Sequence, residues 1–167
     1  AKPPKKAVWP PIASIGIDTW AVDFGLLDAN DALIANPYHY RDSHTDGILE
    51  QAFTRMPRAE IYQHTGLQFL QFNTLYQLFA MQQANAPALR ATRSLLMIPD
   101  LFHFWLTGVK ACEFTNATTT QFFNPRTNAW SHEVLDALNI PHNFLVDVVP
   151  PGTTLGHSRR TRCATWG

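Results

Sequence analysis

A short polar and aromatic segment between two apolar runs has the residue types to hold a small polar molecule. Asp18, Thr19 and Trp20 offer a carboxylate, a hydroxyl and an indole, and apolar residues lie on both sides of them. Two strands joined by a loop produce this pattern. A loop at the edge of a sheet with such side chains suits the binding of a small polar ligand.

A second group with binding chemistry follows the apolar and aromatic residues 32–40. Arg41 supplies hydrogen-bond donors and Asp42 supplies acceptors, and a hydroxyl group of a small polar molecule uses both. The two residues could equally form a local ion pair that fixes the end of a strand. Both interpretations stay open at the level of sequence. The seven histidines show no spacing that predicts a metal site.

The elements that must position these residues divide into early strands and later helices. Strands are predicted at 13–18, 22–28 and 32–40, with a turn at 29–31, and their close succession favours an antiparallel meander. From residue 45 apolar residues recur at helical spacing. Gly66 and Gly108 are predicted to end helices, and Pro99 to begin one. Helices are predicted from about residue 45, at 58–64, after a cap at Asn73 or Thr74, at 87–93, from Pro99 through Leu106 and from Ser131 through Leu138, with a buried run at 95–98.

Composition excludes several classes of protein. Hydrophobic residues make up 46% of the 167 residues, which favours a folded core over disorder. The formal net charge is zero, so no binding of nucleic acid is expected. No apolar run reaches the length of a membrane helix, and no secretory signal is recognised, so a cytoplasmic location is expected. The two cysteines, Cys112 and Cys163, are predicted to be reduced thiols, with a single bridge between them as the alternative.

Five segments occur in an order and at a spacing that resemble one family of sugar kinases. They are Gly16–Asp28, Pro37–Gly47, Gly66–Leu78, Met97–Phe102 and Cys112–Gln121, the last followed by Asn124-Pro125-Arg126-Thr127 and Trp130. Together they resemble the rhamnulokinases of the FGGY carbohydrate kinase family. The resemblance covers about Ser14 to Gly156.

The resemblance implies an α/β fold, part of an actin-like, ribonuclease H-like N-terminal domain. Residues 13–156 would form this partial domain, between an irregular lead-in at 1–12 and an irregular basic tail at 157–167. The parent enzyme would transfer a phosphoryl group from ATP, with Mg²⁺, to the 1-hydroxyl of L-rhamnulose. A C-terminal ATP-binding domain would be its missing partner.

The family's phosphate-binding glycine-rich hairpin and its catalytic aspartate, in a His-Asp-Thr motif, have no counterpart in this sequence. No catalytic residue is therefore assigned, and the chain alone is expected to be inactive and to bind ATP and Mg²⁺ poorly. Alternatives are an inactive sugar-binding or interaction remnant, or a kinase fragment for another ketose or polyol.

The resemblance also adds substrate-binding candidates. Trp20 and Ala21 match positions that line the sugar site, and rhamnulokinases usually have glycine where Ala21 stands. Phe114 matches a position where the family commonly has tyrosine, and His44 one where it usually has arginine. Asn73 could contact the substrate or serve only as a helix cap, and Trp20 could instead pack in the core. The predicted substrate-binding set is Trp20, Ala21, Arg41, Asp42, Asn73 and Phe114.

Overall fold

The computed structural model describes residues 13–157. The predicted lead-in at 1–12, most of the predicted tail, and Cys163 with its possible bridge lie outside this range. Within it the chain is mainly helical, with short strands. The helices are α1 (Ile48–Arg55), α2 (Arg58–Thr65), α3 (Thr74–Gln83), α4 (Pro87–Ala91), α5 (Ile98–Thr107), α6 (Phe114–Thr119) and α7 (His132–Ala137). The strands are β1 (Phe24–Leu27), β2 (Ser94–Met97), β3 (Cys112–Glu113), β4 (Phe123–Asn124), β5 (Ala129–Trp130) and β6 (Val148–Val149).

The first strand pairs with a distant segment and not with its neighbours in sequence. β1 runs antiparallel to β2, with Phe24 opposite Met97 and Leu27 opposite Ser94. All eight residues of the two strands are buried, as expected of a strand pair covered on both faces. The strand predicted within 22–28 and the buried run predicted at 95–98 are therefore confirmed in their cores.

The predicted meander is wrong. The turn at 29–31 forms, because the Asp28 carboxylate accepts hydrogen bonds from the Asn30 and Ala32 amides at 2.8 and 2.9 Å. After it, a single bridge joins Leu33 to Leu27, and residues 34–40 leave the sheet. Pro37 lacks the N–H that a further ladder bond would need. Residues 13–18 form no strand either, since no neighbouring strand in the described chain pairs with them.

The helical predictions are confirmed, with shifts of a few residues at their ends. Gly66 and Gly108 follow α2 and α5 with φ of 64° and 81°, a conformation that glycine adopts without steric cost. Pro99 lies in the first turn of α5, where its missing N–H would have no helical partner anyway. Asn73 and Ser131 occupy the N-cap positions of α3 and α7, although neither side chain makes a capping bond.

One helix was not expected. α6 consists of Phe-Thr-Asn-Ala-Thr-Thr, residues that favour turns and strands over helix. Its start is fixed by Glu113, whose carboxylate accepts hydrogen bonds from the Thr115 and Asn116 amides at 3.0 Å each. Strand β3, which pairs in parallel with β6, ends immediately before α6. Strands β4 and β5 form a small antiparallel hairpin after it.

Helix α3 lies inside the main core. Eight consecutive residues of this helix, Thr74 to Met81, are buried. The fully buried Tyr76 hydroxyl has no hydrogen-bond partner in the described chain. Burial raises the pKa of this phenol, so it stays neutral.

Replacement of Tyr76 with phenylalanine is expected to stabilise the protein by about 1 kcal/mol, because it removes a buried hydroxyl that forms no bond. Urea denaturation would measure the change. Tyr62→Phe is the control, since Tyr62 lies on the surface of α2 and its substitution should change stability by less than about 0.5 kcal/mol. A destabilised Tyr76→Phe variant would mean that the hydroxyl is bonded in solution.

Candidate functional site

The segment 18–23, which precedes β1, turns sharply with two non-glycine residues in the left-handed region. Ala21 has a φ of 67° and Val22 a φ of 61°. A side chain with a Cβ costs roughly 1–2 kcal/mol there. The conformation gives a physical reason for glycine at the Ala21 position, because glycine would relieve this strain.

Two side chains from the start of α3 hold the strained segment in place. Thr74 donates its hydroxyl hydrogen to the Val22 carbonyl at 2.8 Å. Gln77 lies three residues later on the same helical face, and its Nε2 donates to the Val22 carbonyl at 3.3 Å and to the Phe72 carbonyl at 2.9 Å. Both side chains are buried, so they can offset part of the backbone strain.

The tip of this segment carries an exposed indole. Trp20 is 79% exposed, which rules out the alternative that it packs in the core. Its neighbours bond locally: Asp18 accepts from the Thr19 amide at 2.8 Å, and the Thr19 hydroxyl accepts from the Ala21 amide at 3.2 Å. The aromatic face of Trp20 is therefore available for a ligand.

A polar cavity of about 200 Å³ lies beside the segment, with room for one small polar molecule. Its lining combines residues 17–19 and Ala21 with Asp100 and His103 of α5, and with Thr115, Asn116 and Thr119 of α6. The Asn116 side-chain nitrogen is buried and has no hydrogen-bond partner among residues 13–157. The cavity thus unites three parts of the chain that are far apart in sequence.

Asp100 is a buried carboxyl group in this lining. It is 3% exposed, its Oδ1 accepts a hydrogen bond from the Glu113 amide at 3.2 Å, and its Oδ2 has no partner in the described chain. Burial raises its pKa to about 6, although hydrogen bonds from Cys112 and from the Glu113 amide oppose the increase. In turn burial, and then the charge of Asp100, raise the pKa of the Cys112 thiol.

On its other side the segment meets residues 38–44. The Asp23 carboxyl group lies 3.5 Å from Nε2 of Gln77, and this contact and the nearby Tyr40 amide both act to lower its pKa. His39 and His44 are close enough to act on it electrostatically. Burial outweighs these contacts and raises the pKa of Asp23 above its usual value.

Arg41 and Asp42 lie in this second segment, in a loop and not at the end of a strand. The Arg41 guanidinium is 5.2 Å from the centre of the Tyr40 ring, and Asp42 accepts hydrogen bonds from His44 through the backbone amide at 2.9 Å and Nδ1 at 3.0 Å. Within residues 13–157 no ion pair joins Arg41 to Asp42, so the local ion-pair interpretation is wrong. Both side chains are exposed.

Two of the predicted site residues, Asn73 and Phe114, have side chains that contact other parts of the protein. Asn73 is 2% exposed, and both of its amide hydrogens are used, at 2.7 Å to Gln121 Oε1 and at 3.1 Å to the Gln68 carbonyl. Phe114 is half-buried and its ring packs edge-on against Phe123 at 5.6 Å. Their roles in substrate binding stay predictions.

Four residues of this region were missed by the sequence analysis: Thr74 as a support, Gln77, Asp23 and Asp100. Gln77 had a signal, because it is a polar residue inside an otherwise apolar run. Asp23 and Asp100 had no such signal in the sequence, since their importance comes from burial. No group of three or more metal-ligating side chains is assembled anywhere between residues 13 and 157. In the same range, no helix is both long and apolar enough to cross a membrane.

Comparison with known proteins identifies the family of the chain. Residues 9–167 match the model of the N-terminal domain of the FGGY family of carbohydrate kinases. The chain is 49% identical over 144 residues to a rhamnulokinase of Pectobacterium atrosepticum and 44% identical over 146 residues to one of Oceanobacillus iheyensis. These alignments cover 86% and 87% of this chain but 29% and 31% of the two relatives, so the chain spans about a third of their length.

Solved structures with a similar fold are sugar and polyol kinases. A gluconate kinase from Lactobacillus acidophilus superposes with a TM-score of 0.82 at 23% identity, over 92% of this chain and 31% of that one. Plasmodium falciparum glycerol kinase with ADP gives 0.79 at 18% identity, over 90% and 31%. These similarities establish the mixed helix and strand fold of the kinase N-terminal domain. The chain belongs to the FGGY family of carbohydrate kinases and represents the N-terminal domain portion of that family.

Proposed function

We propose that this chain is the sugar-binding portion of a kinase that phosphorylates L-rhamnulose at its 1-hydroxyl. The observation that carries the proposal is the 43–49% identity to relatives named rhamnulokinase. The polar cavity beside Ala21 and the exposed Trp20 support it, because a monosaccharide needs hydrogen-bonding groups together with an apolar face.

The nucleotide and Mg²⁺ belong to the full-length kinase in this proposal. Mg²⁺ there would neutralise charge on the transferred phosphoryl group. The contribution of the present residues is to bind and orient the ketose. Thr74 and Gln77 fix the strained segment, the hydroxyls and amide of α6 face the cavity, and Trp20 offers a stacking surface.

The test is a titration of tryptophan fluorescence with L-rhamnulose. We expect saturable quenching in the wild-type chain, its loss in Trp20→Phe, and its retention in Trp105→Phe, because Trp105 is an exposed indole on α5. Phosphorylation of the sugar by the 167-residue chain with MgATP is expected to be undetectable. Absence of quenching by any sugar would contradict the binding role, and phosphorylation would contradict the expected inactivity.

A different ketose or a polyol is the second candidate. It is favoured by Ala21, which lines the cavity at a position where the resemblance to rhamnulokinases implies glycine. D-xylulose and glycerol therefore belong in the same titration. We expect L-rhamnulose to bind at least about tenfold more tightly than either, a difference of about 1.4 kcal/mol. The reverse order would move the assignment to another substrate of the family.

A further inference from the structure

Two buried polar atoms of residues that line the cavity of about 200 Å³ have no hydrogen-bond partner among residues 13–157. They are Oδ2 of Asp100, on α5, and Nδ2 of Asn116, on α6. Asp100 is 3% exposed and Asn116 is 7% exposed, so bulk water does not replace the missing partners. A buried polar atom without a partner costs free energy, and a ligand in the cavity can supply that partner.

Glu113 connects these two residues. Its backbone amide donates to Oδ1 of Asp100 at 3.2 Å, and its carboxylate accepts the Asn116 amide hydrogen at 3.0 Å. The Thr119 hydroxyl lies 3.5 Å from the Asn116 side-chain oxygen and makes its shorter bond, at 2.7 Å, to the Asn116 carbonyl. The fold therefore holds both residues through their other groups and leaves one acceptor and one donor free.

The two free atoms require different partners. A carboxylate oxygen accepts a hydrogen, whereas the nitrogen of an asparagine side chain donates one. An ammonium group only donates and a fully ionised phosphate group only accepts, but a hydroxyl group does both. Hydroxyl groups of one small ligand can therefore satisfy both atoms, and neither a cation nor an anion can.

We propose that Asp100 and Asn116 bind hydroxyl groups of the ligand in this cavity, with Oδ2 of Asp100 accepting a hydroxyl hydrogen and Nδ2 of Asn116 donating to a hydroxyl oxygen. This inference rests on the proposed function, because it deepens the assignment of the cavity as the sugar site. It adds two residues to the substrate-binding set that the sequence predicted.

The proposal makes ligand affinity depend on pH. Burial raises the pKa of the Asp100 carboxyl group to about 6, so the group is mostly ionised at pH 7 and mostly protonated at pH 5. A hydroxyl group donates more strongly to a carboxylate than to a neutral acid. Because about a tenth of the carboxyl groups are ionised at pH 5, we expect binding to be about tenfold weaker there than at pH 7.

Other titratable groups lie near Asp100 and could also produce a pH dependence. They are His103 on the same helix, Cys112 and Glu113 of β3, and Asp18 across the cavity. Strands β1 and β2, which also contact α5, carry no titratable side chain. A pH dependence that arises from any of these other groups would persist in Asp100→Asn, so this variant identifies the group responsible.

The test is calorimetric titration of the 167-residue chain with L-rhamnulose at pH 5 and pH 7. We expect wild type to bind about tenfold more weakly at pH 5. Asp100→Asn should bind at least about tenfold more weakly than wild type at pH 7, with equal affinity at the two pH values. Asn116→Ala should bind at least about threefold more weakly than wild type and keep the pH dependence. Asn30→Ala, at an exposed asparagine in the turn after β1, is the matched control and should bind like wild type.

Three results with a binding sugar would overturn the inference and leave the proposed function standing. They are a wild-type affinity that does not change with pH, a pH dependence that persists in Asp100→Asn, and an Asn116→Ala variant that binds like wild type. If Asp100→Asn does not fold, His103→Gln replaces it: retention of the tenfold pH dependence in this variant supports the inference, and its loss overturns it.

Absence of L-rhamnulose binding would contradict the proposed substrate, and D-xylulose and glycerol would then take its place in the same titrations. Binding of either with the tenfold pH dependence would support the role of Asp100 and Asn116 for another hydroxylated ligand. If none of the three compounds binds, the inference and the proposed function are both overturned.

Discussion

Replacing Asn73 with alanine is expected to lower the free energy of unfolding by about 3 kcal/mol. The substitution removes a buried hydrogen bond to Gln121 Oε1 and a partly buried one to the Gln68 carbonyl, and it takes the Asn73 donor away from both acceptors. A buried acceptor that loses its donor costs about 1–3 kcal/mol. Gln121 is tightly constrained, because it is fully buried at a φ of 67° and also donates to the Leu67 carbonyl.

Urea denaturation measures this effect, and Asn30→Ala is the matched control. Asn30 is an exposed asparagine in the turn after β1, so its substitution should change stability by less than about 0.5 kcal/mol. A loss below 1 kcal/mol in Asn73→Ala, together with weaker sugar binding, would show that Asn73 serves the ligand and not the fold.

Asp100 is expected to make the stability of the protein depend on pH between about 4 and 6. Its carboxyl group has a pKa of about 6 in the folded chain against 3.8 for an unperturbed aspartate, because it is buried. The folded state therefore binds more protons than the unfolded state in this range, and stability falls as the pH rises through it. The difference between the two pKa values corresponds to about 3 kcal/mol, fully lost above pH 6.

Asp100→Asn removes the titrating group and keeps an oxygen for the Glu113 amide. We expect the variant to be less stable than wild type, or equal to it, at pH 4 and to gain about 3 kcal/mol relative to wild type by pH 7.5. Urea denaturation at both pH values measures the change, and Asp147→Asn is the control because Asp147 is exposed. If the stability difference between Asp100→Asn and wild type stays constant with pH, the result would contradict a buried carboxyl group with a raised pKa.

Local signals in the sequence were sufficient wherever an element is determined by its own residues. Apolar spacing predicted α1 and α3, because residues three and four apart share one face of a helix. Gly66 marked the end of α2, and Pro99 and Gly108 marked the two ends of α5. The turn after β1 was likewise predictable, since Asp28 accepts hydrogen bonds from amides two and four residues later.

Strand pairing could not be predicted in the same way. Residues 32–40 were predicted to pair next to β1, but the strand that pairs with β1 is β2, about seventy residues away. Helix α6 was not predicted because its own residues disfavour helix. Its start depends on the Glu113 carboxylate, which accepts hydrogen bonds from the Thr115 and Asn116 amides.

The sequence by itself determined the family, the helical elements other than α6, and the loop that carries Asp18, Thr19 and Trp20. Tertiary structure alone decided which side chains of the site are exposed to solvent and which are buried and form hydrogen bonds inside the protein. Trp20 is exposed and Asn73 is buried, although both were predicted to bind substrate. Asp23, Gln77 and Asp100 gained their importance in the same way. Burial and hydrogen bonds between residues far apart in the chain fix these properties, and neither leaves a local pattern in the sequence.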